Sequence, residues 1–131
     1  MSDENVEKVR GGYEAFNRRD WDGALADVDE SVTWRPIFSV EAAELRGKEA
    51  VRVSWMDAVD SLDIRISIQE LIPVGDDKVV AVATWTGRGS ASETPVGSTA
   101  AQVFTLKDGR LIQVESYPDR RQALEAAGLS E

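Results

Sequence analysis

Hydrophobic positions along the chain change period twice, and each change marks a new kind of element. Val6, Val9, Tyr13 and Phe16 recur every three or four residues, which places them on one side of a helix. Ser2 can cap that helix, and Asp3 and Glu4 suit its positive end. Gly11 and Gly12 interrupt it at about 1 kcal/mol each relative to alanine, so either another backbone passes close or a bulky group there would block the interior. Past Asn17-Arg18-Arg19, Asp20 can cap a short second helix running through Trp21, Ala24, Leu25 and Val28. Residues 31–35 form a β-branched and aromatic strand that stops at Pro36, and residues 36–46 are irregular, a loop placed to cover a pocket mouth. Gly47 then opens a third helix carrying Val51, Trp55 and Val59.

From Leu62 the period becomes two. Leu62, Ile64, Ile66 and Ile68 alternate with Asp63, Arg65, Ser67 and Gln69, so one face is buried and the other wet. The alternation fails at Glu70-Leu71-Ile72, where a bulge or bend restores the apolar side before Pro73 and the Gly75-Asp76-Asp77 turn. Residues 79–86 are apolar on both faces, as in a central strand covered twice, the second cover being one that a partner subunit can supply. A loose turn is expected from Gly87 to Gly97. Residues 100–106 and 111–117 flank Asp108-Gly109, a strong two-residue hairpin signal. An unbroken register from that turn sets Leu106 opposite Leu111, Phe104 opposite Gln113, Gln102 opposite Glu115 and Ala100 opposite Tyr117, all on one face. Asp119 with Gln122 caps a final short helix, which Gly128 and Leu129 close.

Composition narrows the classes. At 131 residues the chain fits one domain, 1–131, able to bury roughly two thirds of its unfolded surface. No apolar run approaches the roughly 20 residues that cross a bilayer, and the acidic start has no secretory pattern, so a cytoplasmic protein without membrane contact is expected. The absence of Cys and His removes thiolate chemistry, the commonest metal ligand and the usual proton shuttle near neutrality, so neither metal nor cofactor is expected. A net charge of -9 repels a phosphate backbone and argues against nucleic acid.

The segments Tyr13-Glu14-Ala15-Phe16-Asn17-Arg18-Arg19-Asp20-Trp21, Val32-Thr33-Trp34, Gly47-Lys48-Glu49-Ala50-Val51 and Phe104-Thr105-Leu106-Lys107-Asp108-Gly109-Arg110-Leu111-Ile112 together resemble the nuclear transport factor 2-like superfamily, in particular its SnoaL-like branch. The resemblance covers essentially the whole chain. It implies an α+β fold: a curved antiparallel sheet wrapped around three helices as a cone with an internal pocket, plus a short C-terminal helix, often as a homodimer. Members include ketosteroid isomerases, polyketide cyclases and limonene epoxide hydrolases. The isomerases' helix-one tyrosine falls on Gly12, their aspartate base on Arg35 and their second oxyanion donor near Gln102; only Glu115 lies near the hydrolases' late-strand acid, and the cyclases' histidine has no counterpart.

The resemblance turns the face bearing Gln102 and Glu115 into the pocket. A carboxylate there is suited to proton abstraction, which makes Glu115 the candidate base, Gln102 the group that positions substrate or its oxyanion, and Arg35 the cation for developing charge or a substrate carboxylate. The plainer alternatives are a satisfied Glu115–Arg35 ion pair inside the pocket wall, or a hairpin face that points to water. Tyr13, Trp34, Phe38, Trp55, Trp85, Phe104 and Tyr117 can line the pocket, although aromatics at helix and strand spacing are more often core. The expected ligand is a small apolar or amphipathic molecule, met by a cofactor-free isomerase, cyclase or hydrolase, or by a non-catalytic binding or interaction module.

Overall fold

The computed structural model describes residues 2–35, 44–61, 63–88 and 95–128. Ten elements follow in order: α1 (Ser2–Asn17), α2 (Trp21–Ala24), β1 (Val28–Trp34), β2 (Leu45–Arg46), α3 (Lys48–Ser61), β3 (Arg65–Val74), β4 (Lys78–Arg88), β5 (Pro95–Lys107), β6 (Arg110–Tyr117) and α4 (Arg120–Ala127). The strands form one sheet in the order β2-β1-β6-β5-β4-β3. Every neighbouring pair is antiparallel except β1 and β6, which run parallel.

Several element limits differ from the periodicity. The second helix ends at Ala24, and Val28 instead opens β1, where it is buried opposite Leu111. Leu45 and Arg46 pair with Trp34 and Thr33 as a two-residue strand inside the stretch expected to be irregular. Ser2 already lies within α1 rather than capping it. Gly87, Val96 and Gly97 belong to paired strands, not to a turn. Leu62, Phe38 and Leu129 lie outside the described residues.

Two register slips interrupt the antiparallel ladders among the described residues. In β3 the register slips between Ile68 and Glu70, so Gln69 is the extra residue, close to the expected phase break. In β6 the turn begins as its sequence requires: Asp108 and Gly109 both hold positive φ, 53° and 79°, the pair of left-handed residues that a tight hairpin turn uses. Lys107 faces Arg110 and Leu106 faces Leu111, but Thr105 then faces Gln113, which leaves Ile112 extra.

Each face of the sheet carries its own core. On the concave side Val79, Ala81, Ala83 and Trp85 of β4 with Ala100, Phe104 and Leu106 of β5 pack against Val9, Tyr13 and Phe16 of α1 and Val51 of α3. On the convex side Val80, Ala101 and Val103 meet Ala123, Leu124 and Ala127 of α4. The second cover over β4 therefore comes from the chain's own last helix. Asp119 accepts from the Gln122 amide at 2.9 Å to start that helix, and Gly128, at φ 98°, ends it. Arg120 bonds Glu70 at 2.8 Å and holds that carboxyl below its ordinary value, a partly exposed pair that contributes little to stability.

Hydrogen bonds from the side chains of the first helix reach later strands and turns. Asn5 donates to the Asp76 carbonyl at 2.9 Å, and Lys8 to the Gly109 carbonyl at 2.8 Å. At its end the Asn17 amide pairs with both backbone groups of Ile66, donating to the carbonyl at 2.8 Å and accepting from the N–H at 2.8 Å. Ile66 sits on edge strand β3, so Asn17 stands in for a missing neighbouring strand. Asn17→Ala leaves both groups without that partner. It is expected to cost about 1–3 kcal/mol, read as a lower urea midpoint at unchanged slope.

Candidate functional site: a polar pair in an aromatic cavity

Between α1, α2 and α3 and the concave face of the sheet lies a cavity of about 950 Å³. This is near the upper end of the size of small-molecule sites. Its wall is mostly apolar: Val9, Phe16, Trp34, Leu45, Trp55, Ile64, Ile66, Trp85, Phe104, Leu106 and Leu111. Asp3, Glu4, Glu7, Lys8, Arg18 and Asp27 border it, and five of these six are exposed, which marks the side open to solvent.

The aromatic side chains are core and lining at once. Trp21, Phe16, Trp55, Trp34, Phe104, Tyr13 and Trp85 form a continuous series of neighbouring rings with centroids 5.2 to 6.1 Å apart, nearly all edge to face. Such a series holds each ring in place, so the wall is preformed rather than assembled around a ligand.

One polar constellation enters this wall. Tyr13 Oη donates to Gln102 Oε1 at 2.7 Å, with both residues buried. Gln102 Nε2 donates to Ser116 Oγ at 3.0 Å, and Ser116 Oγ donates to the Arg35 carbonyl at 2.6 Å. Burial pushes the Tyr13 hydroxyl well above its ordinary pKa, so it stays a neutral phenol across the physiological range. Tyr13 and Gln102 line the cavity, whereas Ser116 stands behind them.

The bulge at Ile112 decides what shares this face. Gln102 is opposite Ser116, not Glu115, and Glu115 is opposite Val103 on the convex side. The expectation that Glu115 and Tyr117 join Gln102 and Phe104 on the pocket wall is corrected: one extra residue turns every later β6 side chain over. Tyr117 packs with the α4 cluster and donates to Glu115 at 3.1 Å. Burial, and then the Glu115 charge, raises the Tyr117 pKa. Arg35 follows Trp34 just past the end of β1, is exposed and does not line the cavity. Of the three residues assigned to chemistry, only Gln102 lines the cavity. Tyr13, Trp34, Trp55, Trp85 and Phe104 line it as expected, and Phe38 lies outside the described residues.

The phenol that α1 supplies is Tyr13, one residue past Gly12. A Cβ on Gly12 would find only the Ala24 carbonyl within range, at 3.9 Å, and one on Gly11 nothing within 4 Å. Of the two explanations for these glycines, close backbone passage is therefore excluded. Ser116 is the member of this polar chain that the unbroken register hid. Its signal is Val114, an apolar residue between Gln113 and Glu115 that makes sense inward only if the strand slips after Leu111.

Among the described residues no cluster of His, Cys, Asp or Glu can hold a metal, and no helix is long and apolar enough to cross a membrane. No curated protein matches the chain. Solved structures do. Bal32a, from a soil-derived mobile gene cassette, is 24% identical with a TM-score of 0.80, over 88% of this chain and 89% of its own. RV0760c from Mycobacterium tuberculosis, solved with estradiol-17beta-hemisuccinate, is 12% identical with a TM-score of 0.78, over 88% and 94%. TerC, co-crystallized with polyporic acid, is 22% identical with a TM-score of 0.74, over 96% and 99%. At these identities the likeness is one of fold. The SnoaL-like domain model matches residues 9–114, from the first inward valine of α1 to the valine beyond the β6 bulge, and the chain thus belongs to the SnoaL-like family of the nuclear transport factor 2-like superfamily.

Proposed function

We propose that the protein binds one small, mostly apolar molecule in the cavity and orients it through an oxygen-bearing group set against Tyr13 and Gln102. The observation that carries this reading is the buried 2.7 Å Tyr13–Gln102 bond in a mostly apolar wall. A few convergent polar groups in an aromatic pocket fix a ligand's orientation while the wall supplies the affinity. Binding is favoured over turnover. A base must reach the proton that it takes: Glu115 lies on the other face of the sheet, Tyr13 is held neutral by burial, and the carboxylates that border the cavity, Asp3, Glu4, Glu7 and Asp27, are exposed on its solvent side, away from the Tyr13–Gln102 pair.

Ligands of the two neighbours serve as probes. Calorimetric titration with estradiol-17beta-hemisuccinate or polyporic acid is expected to give saturable one-site binding. The double variant Tyr13→Phe/Gln102→Leu is expected to keep its fold, because both partners of that bond go together and half-buried Ser116 keeps its bond to the Arg35 carbonyl, and to bind about tenfold more weakly. Absence of saturable binding of either compound to the native protein, or equal affinity in the double variant, defeats the proposal.

A further inference from the structure

The polar chain behind the cavity has a direction, and it is set from its far end. The Arg35 carbonyl can only accept, so the Ser116 hydroxyl must spend its one proton there. Ser116 Oγ is then left as an acceptor and takes a proton from Gln102, which turns the Nε2 side of that amide toward Ser116 and its Oε1 toward Tyr13. Tyr13 must in turn donate its only proton to Gln102. What remains of the phenol for a ligand is a lone pair.

We infer that Ser116 is a specificity-determining residue: acting through Gln102, it makes Tyr13 an acceptor, so that the cavity selects neutral molecules carrying a hydroxyl donor over ketones of the same skeleton. This inference rests on the binding reading above and deepens it by naming the ligand class. A hydroxyl can give its proton to Tyr13 Oη. A ketone at the same place brings a second acceptor against that lone pair, a mismatch that is costly beside two side chains only 6% and 3% exposed. Ser116 is a positioning residue, because it stands outside the cavity lining and touches the ligand only through the order it imposes.

The test uses fluorenol and fluorenone, a flat alcohol and ketone of one skeleton, titrated calorimetrically into the native protein, Ser116→Thr and Ser116→Ala. The native protein and Ser116→Thr, which keeps the hydroxyl, are expected to prefer the alcohol about tenfold. In Ser116→Ala the amide of Gln102 is free to turn over and release the Tyr13 proton, so the ketone gains and the ratio falls to about one. Both probes are measured on the same variant, so a general loosening moves both affinities and leaves their ratio alone. A native protein that binds the ketone as well as the alcohol, or a Ser116→Ala variant that keeps the native ratio, overturns the inference while leaving the binding reading intact. Failure of both probes and both neighbour ligands to bind the native protein overturns the two together.

Discussion

Gly12→Trp is expected to weaken binding of estradiol-17beta-hemisuccinate ten- to hundredfold while α1 remains folded. Gly12 lies in the middle of the helix and lines the cavity, and its backbone is not in the left-handed region. A methyl there meets nothing nearer than the Ala24 carbonyl at 3.9 Å, so Gly12→Ala should fit, leave affinity unchanged and add about 1 kcal/mol of stability. An indole extends beyond that methyl into the space that the ligand needs. Forcing overlap in a packed wall costs about 1–3 kcal/mol, which is a ten- to hundredfold loss. Calorimetry together with a melting curve separates the two substitutions; a Gly12→Trp protein with native affinity would place the ligand somewhere other than this cavity.

Leu25→Ala should do the opposite: damage the fold and not the selectivity. Leu25 is 1% exposed, the largest of the fully buried side chains among the described residues, and lies in the concave core without lining the cavity. It sits just after α2, where its carbonyl accepts from the Val28 amide at 3.1 Å and so joins the helix to β1. Truncation leaves a void that neighbours on two elements cannot both close, at about 2–5 kcal/mol. Domains of this kind hold only about 5–15 kcal/mol in total. A large drop in the denaturation midpoint is therefore expected, with the alcohol-to-ketone preference of the remaining folded protein unchanged. A loss below about 1 kcal/mol would mean that the helix-strand corner is not packed as described.

Where the alternation of side chains runs unbroken, the sequence could be read directly. The inward face of β5, with Gln102 and Phe104, follows from the alternation together with the family resemblance, β4 is apolar on both faces and left its inward set open, and the bulge in β3 showed itself as a phase failure next to Gln69. The caps at Asp20 and Asp119 follow from local chemistry, and each side chain takes the backbone N–H three residues on, at 3.0 and 2.9 Å. The site was legible only as far as the hairpin. Leu111 and Ile112 are both apolar, so the strand can continue in either phase, and tertiary packing of Val114 against Trp34 and Phe104 selects the slipped one. That choice put Ser116 behind Gln102 and turned Glu115 outward. Tyr13 was legible as core from its spacing, but its bond to Gln102 joins residues 89 apart, and no local pattern records such a contact.

The attachments of α1 bear on the order of events during synthesis. Its four side-chain anchors reach forward by 49, 71, 89 and 101 positions, so the segment that leaves the ribosome first meets only Trp21 and Trp55, through Phe16, until β3 emerges, and is not fully seated until the β5–β6 ribbon is complete. Such long-range closure is slow, in the range of about milliseconds to seconds, and Tyr13, whose ring neighbours Trp85 and Phe104 come late, stays uncovered meanwhile. The cavity is thus a late product of folding. A chain stalled before its last hairpin would display the helix to chaperones and to other nascent chains instead of enclosing a ligand.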